Sequence, residues 1–165
     1  MLPQIPGRYR VEFSYPGDSC YQPESKKGHV IVPYKTTTTL TPLRKSPQRV
    51  QVGQWFGYSA RVEVESANKA APGTVVFIIS SKTSPTTPFL SDARDIDSET
   101  RSATWEYGDQ VLPAGEYTIT ANYQGFKGSL ESHEISSAQP LEFTIIRTPS
   151  RFGQTGVVRS LPGDP

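Results

Sequence analysis

Twelve consecutive residues, Gln54 to Glu65, constrain the fold more than any other feature of this chain. Phe56, Tyr58, Ala60, Val62 and Val64 fall on one side of the segment, and Gly57, Ser59, Arg61, Glu63 and Glu65 on the other. A period of two is the geometry of a strand with one face on a core and the other in water. Gly115 to Tyr123 repeats it, with Tyr117, Ile119, Ala121 and Tyr123 against Glu116, Thr118, Thr120 and Asn122. Ser102 to Tyr107 places Ala103, Trp105 and Tyr107 on one side. Gly73 to Ser80 is apolar on both parities, which predicts a central strand covered on both faces. No window of ten residues shows capped helical spacing, and Pro/Gly/Ser/Asp clusters separate the runs. The chain reads as all-β, a sandwich or barrel.

Composition narrows the means of holding such a fold together. With 165 residues there is room for one domain of ordinary size and a remnant. The single cysteine, Cys20, excludes an intramolecular disulfide and a Cys-rich zinc site, so apolar packing must supply the core. Seventeen basic and sixteen acidic residues are interspersed, which leaves no basic field for nucleic acid. No apolar run approaches the roughly 20 residues of a membrane helix, and no signal segment follows Met1.

The chain also repeats itself. Residues 5–17, IPGRYRVEFSYPG, match residues 113–125, PAGEYTITANYQG, at Gly7/Gly115, Tyr9/Tyr117, Val11/Ile119, Tyr15/Tyr123 and Gly17/Gly125. Val30-Ile31-Val32 then corresponds to Phe143-Thr144-Ile145. The offset suits a sandwich domain of about 100 residues. Three regions follow: 1–35, a closing hairpin of a partial repeat; 36–147, a complete domain; and 148–165, a flexible tail rich in Gly, Pro, Ser and Arg. Strands are predicted near 37–42, 54–65, 73–80, 102–108, 115–123 and 140–147, with an irregular region over 86–96.

Four motifs in this order resemble bacterial Ig-like repeats, the tandem Big-type domains of large surface and secreted proteins: Lys35-Thr36-Thr37-Thr38-Thr39-Leu40, Gly53-Gln54, Gly73-Thr74-Val75-Val76-Phe77, and Leu112 to Tyr123. Tyr15-Pro16-Gly17-Asp18-Ser19-Cys20-Tyr21 looks like that family's Tyr-x-Gly-Asp-x-x-Tyr turn, whereas Gln124-Gly125-Phe126-Lys127 lacks the Asp. The resemblance implies an immunoglobulin-like β-sandwich of about seven strands without a disulfide. Leu112-x-x-Gly115-x-Tyr117-x-Ile119 has the layout of a tyrosine corner, with Ile119 where an antibody domain has cysteine. Trp105, Phe77, Tyr58 and Phe56 are the expected large core groups beside Tyr117 and Ile119.

Catalytic chemistry finds little support. His29 and His133 lie among polar residues, no Gly-x-Ser-x-Gly elbow occurs, and Cys20 sits in a turn. Asp92, Asp95, Asp97 and Glu99 are the candidates for calcium; Arg94 and Arg101 interleave, and a solvated loop is the better reading. Trp55 falls on the outward parity of its strand. It is expected to pack at a junction with an adjoining repeat rather than to stack on a sugar.

The resemblance implies a non-enzymatic module, a structural spacer or adhesion domain of a larger bacterial surface or secreted protein. Its partners would be neighbouring Ig-like repeats, with a surface protein or glycan besides, and its location would be extracellular. It implies no cofactor. The alternatives are a glycan- or calcium-binding sandwich and an accessory domain of a secreted hydrolase.

Overall fold

The computed structural model describes residues 5–43, 48–108 and 112–147. The expected tail over 148–165 lies outside the described residues. Every regular element described is a strand. In chain order they are β1 (Gly7–Tyr15), β2 (Glu24–Val32), β3 (Thr36–Pro42), β4 (Arg49–Gln51), β5 (Phe56–Val64), β6 (Thr74–Ser81) and β7 (Phe89–Leu90). There follow β8 (Arg94–Asp95), β9 (Ser102–Tyr107), β10 (Gly115–Tyr123), β11 (Phe126–Lys127), β12 (Ser132–His133), β13 (Ser136–Ser137) and β14 (Leu141–Ile146).

Two sheets share one core. The larger runs β4-β14-β10-β6-β7, with β13 also on β10 and β8 also on β6; the smaller runs β3-β5-β9. Only the β14–β4 pairing is parallel among these ladders. Phe143 from the larger sheet meets Phe56 at 5.3 Å and Tyr58 at 6.2 Å between ring centres, and Phe77 stacks on Trp105 at 5.7 Å. Because burying such a ring stabilises by about 1.5–3 kcal/mol, aromatic contacts across the gap stand in for a crosslink. Tyr117 is buried, and its hydroxyl donates to the carbonyl of Pro113 at 2.8 Å, closing the corner before β10. Ile119 beside it is fully buried.

The alternation over 56–64 appears as Phe56, Tyr58, Ala60, Val62 and Val64 buried on β5. The strand from Thr74 differs from expectation. Val75, Phe77 and Ile79 are buried, whereas Val76 and Ile78 are half-buried, because no further layer of the described residues covers that face. Beyond β6 lie only the two-residue strands β7 and β8, so it is not a deep central strand. The irregular region over 86–96 is these two short pairings on β6. The threonine run forms β3 with Thr36 and Thr38 turned inward. Their hydroxyls lie 2.8 and 2.7 Å from the Ser136 hydroxyl, and Thr36 also donates to the Glu134 carbonyl. Bonded hydroxyls are what allow polar residues at inward positions.

Candidate functional site

Hairpin β1–β2 stands apart as a two-stranded sheet of its own, paired over nine positions from Gly7↔Val32 to Tyr15↔Glu24. It repeats the geometry of β10–β14. Tyr9 faces Val30 as Tyr117 faces Phe143, and Gly7 faces Val32 as Gly115 faces Ile145. Tyr9 also donates its hydroxyl to the carbonyl four residues back, that of Ile5, at 2.7 Å, as Tyr117 does to Pro113. The same local sequence, Gly-x-Tyr-x-apolar, therefore builds the same hairpin and the same corner twice.

Their surroundings differ. Tyr117, Ile119, Ala121, Tyr123, Phe143 and Ile145 are all buried against the smaller sheet. On the hairpin, Phe13 is 67% and Tyr15 42% exposed, and Tyr9, Val11, Val30 and Val32 are half-buried. One edge of β10 carries β6, whereas among the described residues no third strand pairs with β1 or β2. The hairpin thus presents a partly exposed apolar stripe, most open at Phe13 and Tyr15, and edges unpaired among the described residues, an arrangement prone to pair with another chain. Its tip is fixed. Asp18 accepts the backbone N–H groups of Cys20 and Tyr21 and the Tyr15 hydroxyl, and these donors, the hydroxyl foremost, hold its carboxyl below the usual range. Gly17 has φ 83°, and a Cβ there would come within 2.9 Å of Pro23, so the turn requires glycine.

A polar cluster joins hairpin to domain. Tyr34 bonds to both neighbours of His133, donating its N–H to the Ser132 carbonyl at 2.8 Å and accepting from Glu134 N–H at 2.9 Å. The Tyr34 and His133 rings stack at 5.2 Å. Lys69 Nζ lies 3.9 Å over the Tyr34 ring and pairs with Glu131, whose other oxygen is 3.4 Å from His133 Nε2. The His133 side chain is fully buried, and neither ring nitrogen has a hydrogen-bond partner among the described residues. Burial pushes its pKa down, while Lys69 first and His133 second hold Glu131 down. A groove of about 410 Å³ opens beside it, lined by Pro33, Phe126, Lys127, His133 and Ile135 among others. These residues are scattered over a hundred positions, and no periodicity or motif links them.

A buried neutral histidine makes a signed expectation. Its folded pKa lies below its unfolded value near 6.5, so stability is complete above that pH and is lost as pH falls below it. Thermal melts from pH 7.5 to 5.5 should show stability falling with pH, and His133→Phe should remove that dependence. A wild-type melt flat across this window would contradict the burial described.

The other candidates do not converge. His29 is exposed on β2 opposite Arg10, Cys20 is exposed at the hairpin tip, and buried His133 lies in the joint. Asp97 is committed to its own turn, accepting from Glu99 N–H at 3.0 Å and Thr100 N–H at 2.7 Å. Asp92, Asp95 and Glu99 are exposed, and no metal-ligating group of three forms among the described residues. Trp55 is 61% exposed, with its indole laid on Gly108 so closely that a Cβ there would come within 2.2 Å. That contact lies within the chain itself. Gly108→Ala should lift the indole, shifting tryptophan emission to longer wavelength at a stability cost under about 1 kcal/mol; unchanged emission would contradict the contact.

No protein-family model matches the chain. No curated protein matches it in sequence. Similar solved structures include two of superoxide reductase (neelaredoxin) from Ignicoccus hospitalis. One has 11% identity and a TM-score of 0.42, covering 66% of this chain and 80% of that one. The other has 12% and 0.43, covering 67% and 80%. Such distant likeness carries no activity to this chain. The resemblance to Big-type repeats is nevertheless corrected: no family model supports it. With it go the spacer, adhesion, tandem-repeat and surface-protein readings. The motifs behind it are turn and strand chemistry that many β-proteins need, so they reported local structure rather than descent.

Proposed function

We propose that the chain is a non-catalytic protein-binding module that accepts a β-strand of another polypeptide on hairpin β1–β2. One observation carries this reading: the hairpin duplicates β10–β14 in register and corner, yet the face that β10–β14 buries is only half-buried at Tyr9, Val11, Val30 and Val32 and exposed at Phe13 and Tyr15. Strand addition needs an open edge for main-chain hydrogen bonds and alternating side-chain contacts for specificity, and β1 offers both. Support for a non-catalytic role comes from the separation of His29, Cys20 and His133, which keeps the cysteine of the described residues away from either histidine. For the domain itself we read an immunoglobulin-like sandwich, supported by the Tyr117 corner and by Trp105 packed between the sheets.

The test is selection of displayed random twelve-residue peptides on the full chain, with counter-selection on Val11→Pro. Proline in the middle of β1 removes an N–H either from the β2 ladder or from the open edge, and either loss spoils the edge as a template. The expected result is a set of peptides of alternating apolar pattern that bind the natural chain and not the variant. Peptides indifferent to the variant would overturn the proposal.

A further inference from the structure

The internal duplication specifies which strand the hairpin takes. We infer that β1 accepts a strand antiparallel to it in the register that β6 uses on β10, with an acidic residue opposite Arg10. This rests on the binding reading above and adds the partner's register and charge.

The register follows from correspondence. In the domain, Tyr117 pairs with Ser81, Thr118 with Ser80, Ile119 with Ile79, Thr120 with Ile78 and Tyr123 with Val75. Tyr9, Arg10, Val11, Glu12 and Tyr15 occupy the equivalent places on β1, with the same partner-strand geometry on their other side. A strand laid on the open edge of β1 as β6 lies on β10 would continue the apolar stripe past Tyr9, Val11, Phe13 and Tyr15.

The polar face supplies the specificity. The domain hairpin has neutral Thr118 and Thr120 where β1 has Arg10 and Glu12. Glu12 already accepts the Ser25 hydroxyl at 2.8 Å and lies 3.9 Å from Lys27 Nζ. Arg10 has no ion-pair partner among the described residues. Its neighbour across the ladder is His29, which offers no negative charge. Opposite charges directly across a ladder favour pairing and like charges oppose it. A carboxylate at the place of Ser80 therefore completes Arg10, and a cation at the place of Ile78 extends the Glu12–Lys27 pair. The occupant is a strand of about eight residues, apolar on alternate positions and acidic opposite Arg10, from a sheet without a closing hairpin of its own.

The probe is a synthetic peptide of residues 73–82 carrying Ile78→Lys and Ser80→Glu, titrated into the full chain and followed by amide shifts. Shifts should be centred on β1, and Arg10→Glu should weaken binding about fivefold. A second peptide with Ser80→Arg should recover that loss on the Arg10→Glu chain. The swap compares two peptides on chains whose folding the same spectra report, so an unfolded variant would not be mistaken for lost pairing. Binding that ignores the swap, or shifts centred on the domain, would overturn the register. Self-association of the chain through β1, read by light scattering, would overturn the acidic strand as occupant. If displayed peptides depend on the hairpin but lack the acidic position, the register falls and the binding reading stands. If none depends on the hairpin, both fall.

Discussion

Phe77→Ala should lower the unfolding free energy by about 3–5 kcal/mol, the range for emptying a large buried aromatic site. Phe77 is fully buried, and its ring stacks on Trp105, which also contacts Phe89 at 5.9 Å and Tyr107 at 5.5 Å. Its backbone is held on both sides. Phe77 pairs with Ala121 on β10, while its N–H donates to the Ser91 hydroxyl and its carbonyl accepts from Ser91 N–H, each at 2.9 Å. The surroundings are thus too constrained to collapse into the space left. Domains of this size hold only about 5–15 kcal/mol in total, so the variant should approach unfolding near body temperature. Val76→Ala, on the half-buried face of the same strand, should cost roughly 1 kcal/mol. Urea titrations followed by tryptophan fluorescence compare the two, and equal costs would mean that the sheets do not face each other as described.

Val11→Pro should have the opposite profile: strand binding at the hairpin reduced at least a hundredfold, with the melting of the domain unchanged within about two degrees. Main-chain hydrogen bonds carry most of the affinity in strand addition, and a proline within β1 interrupts the row that provides them. The domain should not register the change, because no strand of either core sheet pairs with the hairpin and the connection runs through the backbone of Tyr34. Calorimetry beside a peptide titration separates the two effects. A variant that binds peptide normally would place recruitment elsewhere, and one that lowers the domain's melting temperature markedly would show hairpin and domain to be one cooperative unit.

The strands were legible because their signal is local. The alternation over Phe56–Val64 and Gly115–Tyr123 fixed which faces turn inward, and the layout from Leu112 to Ile119 marked the corner at Tyr117. The match between residues 5–17 and 113–125 likewise located the hairpin and its pairing. What was not legible depends on layers and on distant residues. A run such as Val75 to Ile79 reads the same whether one face is covered or two, and only the neighbours of β6 decide it. The joint of Tyr34, Lys69, Glu131 and His133 exists because three distant chain segments converge. None of its residues has a pattern that would bring the others to mind. Family-level motifs misled for a related reason, since a glycine turn and an alternating strand are demanded by physics in any sandwich.

The most direct test of the hairpin as an open docking surface is residue-resolved amide exchange of the free chain at low concentration. Amides of β10 that face β6 should exchange only with opening of the domain, because each is held in an inner ladder. The equivalent outward-facing amides of β1 should exchange at nearly unprotected rates, while those facing β2 keep partial protection. Adding the Ser80→Glu peptide should then slow the outward set selectively. Outward-facing β1 amides as protected as those of β10 in the free chain would show that the edge is already covered, and would contradict the account.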